Sequence, residues 1–127
     1  MKRTLVEFAR VSLTPLAALL ALSVLVQAYL AGIAAVVDAD YWSLHKSWVA
    51  IFQWLSVPLV PVTWVGRRDP TTRWMSFVPI VLIAAQYSSI HFALRHGVGW
   101  LAGLHAVMGF VLFGTLVLLV SRSRHVV

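Results

Sequence analysis

The sequence predicts an all-α fold: a polytopic membrane protein folded as an up-down-up-down bundle of four transmembrane helices. Composition is the first ground. The 127 residues are 61% apolar and 11% charged, with a mean hydropathy of +0.88, whereas soluble domains carry about 25% charged residues. Disorder is excluded by the same figures. The distribution of charge is the second ground. Residues 11–37, 47–66, 74–94 and 96–121 contain no Asp, Glu, Lys or Arg, giving uncharged runs of 27, 20, 21 and 26 residues. Each reaches the roughly 20 residues that cross a hydrocarbon core.

The first helix is expected at about residues 11–36. Its run is too long for a signal-peptide core and has no persuasive cleavage site, although QAYLAG ends in small residues, so it reads as a retained helix. The others are expected at about 43–65, 74–94 and 99–121. Short connections make consecutive helices antiparallel neighbours. Pro58, Pro61 and Pro79 fall inside spans and should kink the second and third helices. Residues 1–127 form a single domain with no linker or low-complexity tract.

A net charge of +6 suggests nucleic acid in a soluble protein. Here topology explains it, and no nucleic-acid partner is expected. Lys2, Arg3, Arg10, Arg67, Arg68, Arg73, Arg122 and Arg124 flank one end of the runs, and only Lys46 and Arg95 flank the other. The positive-inside rule then puts both termini in the cytoplasm, with the lipid bilayer of a prokaryotic plasma membrane as the surroundings. Trp64 and Trp74 on the inner side and Trp42 and Trp100 on the outer side fit interfacial aromatic belts. Cysteine is absent, which removes disulfides, thiolate metal sites and a cysteine nucleophile.

The two halves of the chain share a faint repeat. Gln27 precedes His45 by 18 residues and Gln86 precedes His105 by 19, each His following a Leu near the outer end of a descending helix. The second and fourth helices run the same way, so the two histidines lie at similar depth. Hydration near the interface (His45) or an interhelical hydrogen bond (His105) would account for each taken singly. A histidine inside a membrane span is nevertheless a functional candidate. As a metal site the pair lacks a third ligand for zinc, because all four acids, Glu7, Asp38, Asp40 and Asp69, lie outside the spans. Haem supplies four nitrogens and needs only axial groups, so haem b is the better metal candidate.

Leu101, His105, Met108, Gly109 and Leu112 share a face of the fourth helix; His45, Trp48, Val49, Phe52 and Ser56 share one of the second. Gly109 leaves room for a flat ring and Trp48 lines it; ordinary helix packing explains the same faces, and Met108 reads as packing. Gly99 and Gly103 form a small-xxx-small pair that suggests close helix contact. Lys46 and Arg95 can pair with haem propionates or with Asp38 and Asp40. His91 and His96 read as interfacial, with alternative ligation or proton carriage as other roles; His125 receives none. Gln27 and Gln86 are expected a turn or more deeper than the histidines, bonding between helices or touching a cofactor or quinone-like substrate. Tyr29, Tyr87, Ser88 and Ser89 add polar character at that level.

The segments QAYLAG with DADYWSLHKSW, then QYSSIHFALRHGVGWLAGLHAVMGF, resemble a family of small uncharacterised prokaryotic four-helix membrane proteins, over about Gln27 to Leu119. The second half also resembles one four-helix half of the haem A synthase family, in which a glutamine-glycine helix precedes a loop and a Leu-His helix. That resemblance implies axial haem ligation by His45 and His105. The chain departs from it in having one bundle rather than two, and in carrying Trp42, Ser43 and Leu44 before His45 where that family has an acidic residue. The implication is therefore haem binding rather than haem A synthesis.

Three functions follow. The first is a haem b protein for electron transfer or haem handling, with a quinone or membrane redox partner. The second is a non-catalytic assembly subunit of a larger membrane complex. The third is a small transporter, disfavoured because the spans lack ionisable groups at midplane. No nucleophile arrangement, phosphate loop or HExxH motif marks a hydrolase.

Overall fold

The computed structural model describes residues 2–124. Six α-helices form four spans: α1 (Lys2–Val36); α2 (Tyr41–Phe52) continued by a 3-10 turn (Gln53–Ser56) and α3 (Leu59–Val65); α4 (Pro70–Met75) with α5 (Val78–His96); and α6 (Trp100–Arg124). All four are long and apolar enough to cross a membrane, and the described residues contain no strand. The all-α four-helix bundle expected from the charge gaps is the observed fold.

The spans are longer than the uncharged runs. With 35 residues, α1 is about 52 Å long, well beyond a hydrocarbon core of about 30 Å. It starts near Lys2 rather than at 11, because a helix continues into the headgroup layer where charged side chains are solvated. The third span starts at Pro70 rather than 74. Asp69 caps it, accepting from Thr72 N at 3.1 Å and Thr72 Oγ1 at 2.6 Å, and Pro70 follows where no N–H is needed. At its outer end α5 stops on Gly97, whose φ of +66° is left-handed, with Val98 N reaching back to Ala93 O.

The prolines break the second span. Pro58 and Pro61 have no N–H to give the carbonyls of Trp54 and Val57, and each takes a three-residue bond instead, from Val57 N at 3.3 Å and Val60 N at 3.4 Å. The segment tightens accordingly into a 3-10 turn. Pro79 follows the interruption between α4 and α5, whereas Pro15 lies within a continuous α1.

In the ring of spans the first packs against the second and the fourth, and the third against the fourth. The second and fourth are diagonal. An apolar core of Leu13, Leu20, Leu59, Leu112, Leu116 and Leu119, each at most 2% exposed, fills the half nearer the arginines. Above it the backbone of α2 lies close to that of α1 alone, with no Cα within 8 Å of α5 or α6 among the described residues, although Phe52 of α2 belongs to the core. The outer surface is itself apolar, with Leu22, Ile51, Val81, Phe110 and Leu118 exposed, as a lipid-facing bundle requires.

The arginine-rich end is tied by Arg68, only 5% exposed, which donates to Arg10 O at 2.8 Å and Ser123 O at 3.4 Å. Burial, then the neighbouring Arg10 charge, push its pKa below the ordinary arginine value. Arg10 Nε in turn donates to Gly66 O at 3.0 Å. Asp69 and Arg122 form an ion pair at 3.2 Å, the only one among the described residues. The inner loop, the start of α1 and the end of α6 therefore share one end, as the charge pattern requires.

Candidate functional site

One polar layer crosses the half of the bundle away from the arginine-rich end, with a side chain from each span: Gln27 on α1, His45 on α2, Gln86 on α5 and His105 on α6. The two halves build it alike. Nδ1 of His45 lies 3.2 Å from the backbone carbonyl of Gln27, and Nδ1 of His105 lies 3.2 Å from that of Gln86. A carbonyl only accepts, so both rings carry a proton on Nδ1, which leaves Nε2 as the nitrogen open to another partner. The faint Gln-to-His repeat thus corresponds to one hydrogen bond made twice. It also corrects the expected depth: the glutamines lie level with the histidines, not a turn below, since their backbones receive the rings.

Across the bundle the two imidazoles face each other with centroids 6.4 Å apart and planes tilted by 49°. The halves differ at Nε2. In the first, Gln27 Nε2 donates to His45 Nε2 at 2.9 Å, and Gln27 Oε1 is left buried with no partner. In the second, the Gln86 amide forms no protein hydrogen bond among the described residues, and its Oε1 lies 3.9 Å from where a Cβ on Gly109 would stand. The space over Gly109 is therefore filled by that amide.

Neighbours fix the pose of His45. Trp48, one turn along α2, donates its indole N–H to Ser23 O at 3.0 Å and pins α2 to α1. Trp42 meets the His45 ring edge-on at 5.3 Å. Both Trp42 and Ser23 were missed as site neighbours in the sequence, although the three-residue spacing from Trp42 to His45 on a helix was a signal. Met108 is half-buried on the same face as His105.

Other sequence candidates lie outside this layer. Lys46 and Arg95 are exposed, and neither pairs with Asp38 or Asp40 within 4.0 Å, so the acid-pairing reading is corrected. His91 is exposed and bonds Tyr87 O at 2.8 Å on its own helix. His96 stacks on Phe92 at 4.3 Å. Tyr29 is exposed, and Ser88 bonds back to Ala84 O; neither joins the layer. Ser89 donates to Gln86 O at 2.9 Å, sharing that acceptor with His105. Gly99 and Gly103 have nothing within 4 Å of a Cβ built on them, so the close internal contact expected of them is absent and both face outward. His125 lies outside the described residues.

Among the described residues no group of three or more His, Cys, Asp or Glu side chains can hold a metal ion. What the layer offers is two imidazoles, each held through Nδ1 on a backbone carbonyl. The family of unknown function DUF6220 matches the chain over residues 27–93, from the first glutamine of the layer to just past the second. No curated protein and no solved structure matches it.

Proposed function

The chain belongs to the family of unknown function DUF6220, and from that starting point we propose that it is an integral protein of a prokaryotic plasma membrane, both termini cytoplasmic, that binds one b-type haem between His45 and His105. The observation that carries this reading is the 6.4 Å separation of the two rings, each with Nδ1 on a backbone carbonyl. An imidazole nitrogen stands about 2 Å from the metal it ligates, so two rings on opposite sides of one ion have centroids about 6 Å apart. A ring nitrogen hydrogen-bonded to a carbonyl is also what orients a ligating histidine and fixes its tautomer.

The residues fit the group in their chemistry. Two imidazoles suffice only where the metal brings its other ligands, as haem does. Nε2 of His45 is held by the Gln27 amide, and rotation of that side chain frees it. The rotation also releases Gln27 Oε1 from a position where it is buried and unpartnered. No Cα of α2 lies within 8 Å of α5 or α6 among the described residues, so at this level only side chains stand between them, Trp48 on one side and Gly109 with Gln86 on the other. Lys46 and Arg95 are free of carboxylates at this end and available to propionates. When bound, haem supplies a one-electron couple, suited to exchange with a quinone or a membrane redox partner. The chain's own part is to hold each Nδ1 on a backbone carbonyl and, once the Gln27 amide turns away, to offer Nε2 of both rings.

Protein expressed with ample haem and purified gently should show the narrow, reducible bands of six-coordinate bis-His iron. His105→Ala should cost more of that signal than His45→Ala, and His91→Ala with His96→Ala should leave it intact. Absence of a Soret band from well-folded protein overturns the proposal. A second reading, an assembly subunit, draws on the outward face of Gly99 and Gly103, which suits a partner helix. It is tested by co-purification of a stoichiometric membrane partner in mild detergent.

A further inference from the structure

At the opposite end, where the inner loop meets the start of α1, a cavity of about 250 Å³ is lined by Lys2, Arg3, Val6, Glu7, Arg10 and Arg67. Four cations and one carboxylate share it. None of the four lies within 4.0 Å of a carboxylate, Glu7 included, among the described residues. Charges of one sign gathered around a concave site without partners repel each other, and an anion relieves this. The backbone keeps them there. Arg10 is fixed by its Nε bond to Gly66 O, which leaves its terminal amines free of protein acceptors among the described residues. Arg67 takes a left-handed φ of +52°, unusual outside glycine, because its neighbour Arg68 is anchored on Arg10 O and Ser123 O.

We propose that this cavity binds the phosphate of an anionic phospholipid from the leaflet on the arginine-rich side. Phosphate is the chemistry that several guanidinium and ammonium groups recognise together. The surroundings select a lipid as its source. Trp64 and Trp74 mark the interface at this end, and on another face of the same turns of α1 Leu5 and Phe8, 59% and 67% exposed, present apolar surface beside which lipid stands. Basic pockets between spans on the cytoplasmic side are known receptors of such headgroups. The site is independent of the histidine layer, and its test needs no haem.

The full chain in a neutral detergent is titrated with dihexanoyl phosphatidylglycerol while its thermal midpoint is followed. A saturable rise in Tm is expected, absent with dihexanoyl phosphatidylcholine. Lys2→Gln with Arg3→Gln should weaken the apparent affinity at least tenfold. Arg67→Gly, which suits the left-handed backbone, should weaken it as well without loss of fold. Arg124→Gln, a cation at the same end but not in the cavity, should leave it unchanged. An equal rise with inorganic phosphate alone overturns the choice of a lipid. An unaltered response in the cavity variants, or an equal one with the zwitterionic lipid, overturns the site.

Discussion

Replacing Gln27 by Leu tests the polar layer most directly, because two opposing terms can be read from the structure. The amide donates one interhelical hydrogen bond to His45 Nε2 at 2.9 Å. Bonds of this kind inside membranes are worth about 0.6 kcal/mol on average. The same amide keeps a buried carbonyl oxygen with no partner, a cost of about 1–3 kcal/mol. Leu removes both. The bond from His45 Nδ1 to the backbone carbonyl of residue 27 does not depend on the side chain. The difference favours the variant by about 1 kcal/mol. Thermal unfolding of haem-free protein in mild detergent should therefore show a midpoint a few degrees higher. Gln86→Leu should leave it unchanged, since that amide makes no protein hydrogen bond. On the haem reading proposed above, the Gln27 variant should also bind haem more tightly, its His45 Nε2 being no longer covered. A midpoint that falls instead would mean that Oε1 is satisfied, and would refute the argument that the amide is held at a cost.

Asp69→Asn should destabilise the protein by roughly 0.5–1 kcal/mol at pH 7, a figure discounted because the carboxylate is largely exposed. The hydroxyl of Thr72, then its N–H and Arg122, hold the Asp69 carboxyl down at about 2. Its contribution is therefore complete above about pH 4 and lost as pH falls through 2, so the variant should lack that acid limb in a pH series of melts. Gly66→Ala should cost about 1–3 kcal/mol in the same assay, because the new Cβ would stand 2.8 Å from Val62 O and press on Arg10. A cysteine at Ala39 should react with an impermeant thiol reagent in intact cells, and one at exposed Thr71 only after permeabilisation; the reverse pattern rejects the charge-based orientation.

Much of the architecture is legible in the sequence because membrane spans leave a simple trace. A run without charge is a span, and an asymmetry of Lys and Arg separates its ends. What escapes is whatever depends on packing. The prolines forecast kinks, but nothing in Gln53–Ser56 announces that the second span passes through a 3-10 turn there. Arg68 looks like one more cation of the inner loop, yet it is buried and bonded to two chain segments more than fifty residues away. The matched Gln and His spacing located the polar layer, but not which atoms meet. The glutamines act through backbone carbonyls, which have no residue signature, so the layer's depth was misjudged. The Gly99 and Gly103 pair misled for a related reason: small residues permit contact on whichever side a neighbour exists, and here they face outward.

The pattern of bonds also bears on how the two halves of the chain meet at the polar layer. Each polar link of the layer joins helices within one half of the chain, Gln27 with His45 and Gln86 with His105. At that level the histidines approach across the diagonal by ring proximity alone. The apolar core that joins the halves lies below, among Leu13, Leu20, Leu112, Leu116 and Leu119. There the prolines bring the 3-10 turn of the second span against α5, whereas α2 above stays clear of both α5 and α6. The halves thus share an apolar core, while each makes its own polar links at the layer. Neither carbonyl bond crosses between the halves, so neither depends on the distance between His45 and His105. On the haem reading proposed above, each imidazole would keep its Nδ1 bond while Nε2 takes a place on the metal.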